Sequence, residues 1–312
     1  MPAPHLEMGE GTEFDAIRRL LATWGDQAGG IGDDAAVLDI PAGERLVVST
    51  DASVENVHFR RAWMTAEEIG GRATAAALSD LAAMGATPRG LLLALGVPES
   101  WRHELEQLAC GVGAAAASAG CPIVGGNISA AGELSLTLTV LGSAAHPLTR
   151  AGAREGDIIF VTGVLGGSGA ALRALLAGET PPAAHRTRFV APVPRFREAR
   201  WLAEHGARAA IDISDGLVAD AAHLARASGV SLSIDERSVP CVSGVGVREA
   251  LVSGEEYELL VAVPPTADLR GGEFLLEFGL ELTAIGVVTA LSQRAVMLRE
   301  SRAEEARGHD HL

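Results

Sequence analysis

The chain has 312 residues, a formal net charge of −15 and a hydrophobic fraction of 48%, of which little is aromatic. This length is typical of about two globular domains, and the composition supplies a large core of alanine, valine and leucine. The negative charge argues against a nucleic-acid partner, because phosphate backbones are bound mainly by basic side chains. No apolar run reaches the roughly 18 residues that a membrane span needs, and the N-terminus has no secretory signal, so we expect a cytoplasmic protein without a membrane partner.

Lysine is absent, and all 25 basic residues are arginine. This excludes a P-loop and the lysine-dependent arrangement of the protein kinases, since both place a lysine on the phosphates of ATP. It also excludes Schiff-base chemistry, which needs a reactive amine. If the chain binds ATP, metal ions and arginines must therefore offset the phosphate charge.

Hydrophobic periodicity in the first half predicts a mixture of helices and strands. The expected helices span residues 13–24, 65–86 and 99–119, and the expected strands span 35–40, 45–50, 53–59, 89–97, 121–124 and 133–141. Thr12 followed by Asp15 resembles a capping box at the start of the first helix. The strand at 133–141 alternates apolar and polar residues, so we expect it to be covered on one face only.

Oxygen-bearing side chains follow the first glycine run and the strand at 45–50. They are Asp33 and Asp34 in the first group, and Ser49, Thr50 and Asp51 in the second. Carboxylate and hydroxyl oxygens at such places suit a hard cation such as Mg2+. A turn would explain the first group and a strand end meeting water the second, and the residues alone leave these interpretations open.

Asp80 lies on the apolar face of the alanine-rich helix, judged by its three- and four-residue spacings from apolar neighbours. A carboxylate on such a face is costly unless it is paired or bound to a metal. An ion pair with Arg72 or Arg89 would satisfy it. The Ser-Asp pair at 79–80 repeats the chemistry of Ser49–Asp51, however, and this favours a metal ligand.

Two glycine-rich stretches follow predicted strands. Gly125–Asn127 comes directly after the strand at 121–124, where glycines would let a ligand approach the backbone closely. Gly163–Gly169 leads from a strand into a helix, and its free amides could hold an anion. The second stretch lacks the spacing of a dinucleotide site, so by itself it is a weak signal.

A linker at 146–156 divides the chain into expected domains at 1–145 and 146–312. The second half mixes its elements without a regular βαβ rhythm, which favours two α+β domains over a doubly wound sheet. Its expected strands are 157–162, one ending at Asp212, 230–234, 259–263 and 282–289, and its expected helices are 170–177, 195–205 and 217–228. Residues 178–194 are predicted to form a loop, and the tail with His309 and His311 to be solvated.

Acid–hydroxyl–acid chemistry recurs in the second half at Asp212, Ser214 and Asp215. Asp215 precedes a predicted helix and could serve simply as its N-cap. Asp212 has no such explanation, because it interrupts an apolar strand. Ser253–Glu258 adds a further glycine–acid segment that leads into a strand.

Four blocks of this sequence together resemble the thiamine-monophosphate kinase family, which is related to aminoimidazole ribonucleotide synthetase and selenophosphate synthetase. The blocks are Gly30-Ile-Gly-Asp-Asp34, Ser49-Thr-Asp51 with Val57-His-Phe59, Leu78-Ser-Asp-Leu-Ala-Ala-Met-Gly85 and Asp212-Ile-Ser-Asp-Gly216. The resemblance runs from about Thr12 to the C-terminus. It implies a homodimer, whose N-terminal domains form a joint β-barrel and whose C-terminal domains are α/β sandwiches.

The resemblance also implies a reaction, in which the γ-phosphoryl group of Mg2+-bound ATP passes to the phosphate of thiamine monophosphate. The implied metal ligands are Asp34, Ser49, Thr50, Asp51, Asp80, Asp212 and Asp215, of which Asp51, Asp212 and Asp215 are the expected catalytic residues. The implied ATP contacts are Gly126, Asn127, Arg150 and Ser214, and the implied thiamine phosphate contacts are His58 and Glu255. A phosphate monoester is already an anionic nucleophile near neutral pH, so no strong general base is expected.

Three positions depart from the family pattern. Asn127 stands where the family usually has a metal-binding Asp, Glu256 stands where it has Asp, and the resemblance implies that His309 replaces an aromatic residue that covers the thiamine ring. These changes leave two alternatives open: an ATP-dependent enzyme with another phosphate or carbonyl acceptor, and a non-catalytic nucleotide-binding relative.

Overall fold

The computed structural model describes residue 5 and residues 11–267, 269 and 271–299. The chain forms two compact units, the first comprising the chain to Leu81 with Ala86–Pro147, and the second Ala82–Gly85 with the chain from Leu148 onward. His309 and His311, for which the sequence predicted a solvated tail and, at position 309, a replaced aromatic residue, lie outside the described residues. Within the described part of the chain, no helix has the length and apolar character needed to cross a membrane.

The first unit is built on a four-stranded sheet with the order β1-β4-β2-β3, in which only β2 and β3 run parallel. Its elements are α1 (Thr12–Trp24), β1 (Arg45–Val54), α2 (Ala66–Ala83), β2 (Thr87–Val97), α3 (Leu105–Ser118), β3 (Ile123–Ala130) and β4 (Ser135–Ala144). Short 3-10 turns lie at Gly25–Gln27 and Glu99–Glu104. The second of these turns occupies the start of the predicted helix at 99–119.

The two faces of this sheet differ in burial. Leu91, Leu93 and Leu95 of β2 point to the buried face. The opposite face, which we call the open face, carries Leu46 and Val48 of β1, each 52% exposed. The sheet of one chain is open, with β1 and β3 as its edges, so the predicted barrel is not closed within a single chain.

Glycines allow a very close contact between α2 and α3. A Cβ added at Gly111 would lie 1.9 Å from the Glu67 carbonyl oxygen, and one added at Gly70 would lie 2.2 Å from the Leu108 carbonyl oxygen. Both distances are too short for any side chain. The position of α2, which carries Asp80, therefore depends on these two glycines.

The second unit contains a six-stranded mixed sheet with the order β10-β7-β9-β5-β8-β6. Its elements are β5 (Ile158–Thr162), α4 (Gly167–Leu176), α5 (Ala183–Val190), α6 (Phe196–Glu204), β6 (Ala209–Asp212), α7 (Leu217–Ser228), β7 (Ser231–Asp235), α8 (Val247–Leu251), β8 (Leu259–Val263), α9 (Gly271–Phe278), β9 (Leu282–Thr289) and β10 (Val296–Arg299). Helix α7 packs on one face with Ile211 and Leu260, whereas α6 packs on the other with Ala210 and Val261. The prediction of two α+β domains is confirmed, and the structure shows that the sheet of each is mixed.

Several predicted elements were wrong. Residues 35–40 form no strand, because they pair with no neighbour, and Val37 is 93% exposed. The strand expected at 53–59 is the end of β1 followed by a turn, in which Asn56 has a φ of 65°. The loop expected at 178–194 contains α5, whose start directly after prolines suits proline's fixed φ. Thr12 does not cap α1; the N-cap is Gly11, which offers no side-chain bond.

Candidate active site

Strand β1 separates Ser49 and Asp51 from Thr50. The three residues lie inside the strand rather than at its end, and successive side chains of a strand point to opposite faces. Ser49 and Asp51 are half-buried on the covered face, while Thr50 is exposed on the open face. The prediction of a strand end was therefore wrong, and only Ser49 and Asp51 share a face.

The Ser49 hydroxyl donates a hydrogen bond to Asp80 Oδ2 at 2.5 Å. This contact explains how a carboxylate is tolerated on the apolar side of α2. Arg89, one of the expected ion-pair partners, instead donates to Ser143 Oγ at 2.8 Å and to Glu44 Oε2 at 3.2 Å. The structure thus places a hydroxyl and a carboxylate from two elements side by side, an arrangement that suits a hard cation.

Asp34 and Asn127 line a cavity of about 540 Å3 over the open face of the sheet. Asp33, Gly126, Thr137 and Thr139 also line it. The Thr50 hydroxyl lies 3.1 Å from that of Thr139 and so belongs to the same face. The predicted ligands of the first unit therefore form two groups, one on each face of the sheet.

Gly126 has a structural reason to be glycine. It lies inside β3 rather than after a strand, and a Cβ there would be 2.0 Å from the Leu93 carbonyl oxygen of β2. The pairing of β2 with β3 would be disrupted by any side chain. Asn127, paired with Ala94, is therefore held in register at the cavity whether or not Gly126 contacts a ligand.

His58 is oriented by the turn that follows β1. Its Nδ1 accepts a hydrogen bond from the Val54 amide at 3.1 Å, and its carbonyl oxygen accepts one from Arg72 Nη1 at 3.3 Å. A neutral imidazole with an accepting Nδ1 carries its proton on Nε2. The ring is thus held as an Nε2–H donor, which is suited to a phosphate oxygen.

In the second unit, Asp212 ends β6 and is only 4% exposed. Ser214 and Asp215 follow in a short loop that leads into α7. The N-cap of α7 is Gly216, and it has no side-chain hydrogen bond, so the interpretation of Asp215 as the cap was wrong. The capping role is taken from inside the helix by Asp220, whose Oδ2 accepts from the amides of residues 214, 215 and 216 at 3.0, 3.1 and 3.1 Å.

The loop and α7 concentrate negative charge. Burial and, after it, the neighbouring charges of Asp215 and Asp212 together raise the pKa of Asp220 to about 7, against the lowering effect of the backbone amides. Asp215, Asp220 and His223 each bring one potential ligand atom within 4.8 Å of the others. Sequence reasoning missed Asp220 and His223, although their three-residue spacing on a predicted helix places them on one face.

Glu255 is joined to the same loop. Its amide donates to the Ser214 carbonyl oxygen at 2.7 Å. Glu255 and Tyr257 have φ values of 57° and 53°, in the left-handed region that non-glycine residues seldom adopt. A backbone held in this conformation needs strong anchors on either side.

Glu256 provides one of these anchors and also occupies the glycine-rich turn before α4. Its Oε1 accepts from the amides of Gly166 and Ser168 at 2.9 and 3.1 Å and from the Ser253 hydroxyl at 2.5 Å. The anion that this turn was expected to hold is therefore the chain's own carboxylate. The departure from the family at position 256 affects this internal contact.

Arg150 is not brought together with Ser214 within the second unit. Its carbonyl oxygen accepts from the Ser228 hydroxyl at 2.8 Å, at the C-terminal end of α7. Ser214 precedes the other end of that helix, about 18 Å away for a rise of 1.5 Å per residue. The predicted ATP contact of Arg150 stays a prediction.

Comparisons with known proteins agree with this fold. Residues 32–144 match the N-terminal domain of AIR synthase related protein, and residues 154–298 match the C-terminal domain. Thiamine-monophosphate kinase of Salmonella typhimurium is 35% identical over 96% of this chain and 95% of its own length. That of Bacillus subtilis is 32% identical, over 91% and 93%.

Solved structures of the same family are also similar to this chain over nearly its whole length. Thiamine-monophosphate kinase from Stenotrophomonas maltophilia superimposes with a TM-score of 0.81 at 33% identity, covering 94% of this chain and 98% of that one. AaThiL complexed with AMPPCP and TMP superimposes with a TM-score of 0.76 at 31% identity, covering 97% and 98%. Escherichia coli HypE, at 22% identity, shares the fold alone.

Fold and site thus define an AIR synthase related protein with two domains. Within this class, the relatives that match the chain over nearly their full length identify a particular family. The chain belongs to the thiamine-monophosphate kinase family.

Proposed function

We propose that this protein transfers the γ-phosphoryl group of ATP directly to the phosphate of thiamine monophosphate, giving ADP and thiamine diphosphate. The observation that carries this proposal is the full-length similarity to a relative complexed with AMPPCP, an analogue of ATP, and TMP. Apart from Gly30 and Ile31, the four sequence blocks that suggested the family lie within the residues that match the two family domains.

Mg2+ fits the side chains that the structure assembles. Ser49 with Asp80, and Asp34 with Asn127, offer only oxygen atoms, which are the ligands that Mg2+ prefers. In the second unit, the repulsion of Asp220 by Asp212 and Asp215 indicates negative charge that a cation would offset. The residues that would hold metal ions are Asp34 and Thr50 on the open face, Ser49, Asp51 and Asp80 on the covered face, and Asp212 and Asp215 in the second unit. Bound there, Mg2+ would neutralise charge on the β- and γ-phosphates of ATP, a role that no lysine can fill in this chain.

The remaining residues bind and orient the two substrates. A bond forms between an oxygen of the acceptor phosphate and the γ-phosphorus, and the bond from that phosphorus to the oxygen shared with the β-phosphate breaks. The acceptor oxygen is already ionised, since the second pKa of a phosphate monoester is about 6, so no side chain has to remove a proton. Positioning and neutralisation of charge therefore account for the catalysis.

Roles for individual residues follow from this chemistry. Gly126, Asn127, Arg150 and Ser214 are proposed to contact ATP. His58, held as an Nε2–H donor, and Glu255, fixed to Ser214, are proposed to face thiamine monophosphate. Asp51, Asp212 and Asp215 are the proposed catalytic carboxylates, through the metal ions that they would hold.

We also propose that the protein is a homodimer whose N-terminal sheets pair through their open faces. Leu46 and Val48 expose about half of their surface on this face, and burying such residues stabilises an interface. Two open sheets of this kind could close into one barrel, which removes unpaired edges.

The proposed reaction is tested by ADP release with Mg2+, with and without thiamine monophosphate. We expect turnover to require both, and Asp51→Asn or Asp212→Asn to abolish it while the protein still folds. If the wild-type rate of ADP release is independent of thiamine monophosphate, another acceptor is favoured. That is the second candidate function, which Asn127 leaves open. Unchanged turnover in both variants would contradict the assigned roles.

A further inference from the structure

Asp220 accepts a set of hydrogen bonds that the proposed reaction does not itself require. The residue is 1% exposed and lies in the first turn of α7. One carboxylate oxygen accepts hydrogen bonds from three consecutive backbone amides, those of Ser214, Asp215 and Gly216. Three hydrogen bonds that meet on one buried oxygen atom fix the positions of these three amides, so this contact restrains the loop.

The same loop is held from its other side. Glu255 and Tyr257 donate backbone hydrogen bonds to the carbonyl oxygens of Ser214 and Ile213, at 2.7 and 2.9 Å. At Gly216, a Cβ would lie 3.0 Å from the backbone of Val252. The loop is therefore restrained on one side by these backbone contacts and on the other by Asp220.

The carboxylate is held in spite of a substantial electrostatic cost. It is buried, and the charges of Asp212 and Asp215 repel it. An uncharged cap such as serine or threonine would satisfy a helix N-terminus without this repulsion. Two of the three bonds come from the amides of Ser214 and Asp215, whose side chains are proposed to contact ATP and to hold metal.

We propose that Asp220 is a positioning residue, which sets the backbone of residues 214–216 so that Ser214 and Asp215 face the metal–nucleotide complex. The inference rests on the proposed function for the identity of that complex. It adds a residue that acts through the loop and contacts neither substrate.

The test compares Asp220→Ala and Asp220→Asn with the control Asp157→Asn. Asp157 is also fully buried in the second unit, where it accepts from Arg208 Nη1 at 2.6 Å and from the Arg154 amide at 2.8 Å. Its loss should lower stability without changing the loop. The readouts are the Mg2+ concentration for half-maximal activity, kcat, the KM for thiamine monophosphate, and Mn2+ binding followed by electron paramagnetic resonance.

For Asp220→Ala we expect the half-maximal Mg2+ concentration and the Mn2+ dissociation constant to rise about tenfold or more, as for lost outer-shell partners of metal ligands. The KM for thiamine monophosphate should change less than twofold, on the order of a few tenths of a kcal/mol. Asp220→Asn should recover part of the loss, because its amide oxygen can accept the same three bonds. Asp157→Asn should lower the unfolding temperature and leave metal binding unchanged.

Equal metal dependence in Asp220→Ala and Asp157→Asn would overturn the inference, because Asp220 would then serve stability alone. If both Asp220 variants fail to fold, hydrogen exchange of the wild-type protein decides. Slow exchange of the amides of residues 214–216 supports the restraint, and rapid exchange overturns it. If the wild type makes no thiamine diphosphate, the proposed function is contradicted. The role of Asp220 can still be tested in that case, because Mn2+ binding is measured without turnover.

Discussion

At the scale of single residues, two buried carboxylates of the second unit bind backbone amides. Asp220 restrains the loop after β6, and Glu256 accepts from the amides that open α4. Asp212 was predictable from the sequence as a candidate site residue, because it breaks an apolar strand. Asp220 was not, because an acid in the first turn of a helix is ordinarily explained by the helix dipole, and nothing local shows the amides that it binds.

Glu256→Gln tests the internal anion through the pH dependence of stability. Burial raises the pKa of Glu256 above its ordinary value of 4.5, so the folded state holds this proton more tightly than the unfolded chain. The contribution of Glu256 to stability is therefore full below pH 4.5 and falls as the pH rises toward the higher folded pKa. We expect the stability of wild type relative to the variant to fall across this window, measured by urea unfolding at several pH values.

Glu155→Gln is the matched control for this comparison, because Glu155 is exposed in the same unit. Its difference from wild type should stay constant over the same pH range. A flat difference for Glu256→Gln as well would show that burial does not perturb this carboxylate.

At the scale of elements, periodicity predicted α7, β8 and β9 with their observed bounds. It failed at residues 35–40, because an apolar pattern cannot show whether a partner strand is present. It also placed Ser49, Thr50 and Asp51 together, although alternation within a longer β1 separates Thr50 from the other two. The length of a strand depends on its ladder partner β4, which lies far away in the sequence.

Gly111→Ala tests the helix contact that positions α2. The added methyl group would lie 1.9 Å from the Glu67 carbonyl oxygen, so the helices must move apart. Overpacking of this kind costs about 1–3 kcal/mol, and we expect a corresponding loss of the free energy of unfolding in urea.

The control is Gly272→Ala in α9, where no described atom outside the helix's own backbone and the adjacent residues lies within 4 Å of the added group. There the substitution should not lower stability, because the added methyl group meets no neighbour and alanine favours a helix over glycine. Equal effects at the two glycines would contradict the close contact between α2 and α3.

At the scale of the whole molecule, family resemblance predicted more than periodicity could. The two-domain organisation and the family are now established, whereas the assembly depends on a second chain. In a single chain its only sign among the described residues is the exposure of Leu46 and Val48 on the open face. The substrate and the metal content also depend on position 127. Asn127 lines the cavity with Asp34, and its side chain offers a cation an oxygen atom but no negative charge.

Val48→Glu tests the proposed dimer. Val48 is 52% exposed on the open face, and a buried charge there would oppose pairing of two sheets. We expect wild type to sediment at twice the mass of the chain and the variant to shift toward the monomer. Leu276→Glu, at a position 88% exposed in the second unit, should remain dimeric. A monomeric wild type would contradict the proposal.

The most direct measurement of the reaction is 31P nuclear magnetic resonance of the protein with ATP, Mg2+ and thiamine monophosphate. Direct transfer predicts that thiamine diphosphate and ADP appear in equal amounts, that inorganic phosphate does not accumulate, and that chelation of Mg2+ stops both signals. ADP accompanied by inorganic phosphate, with thiamine monophosphate unchanged, would contradict the proposed function.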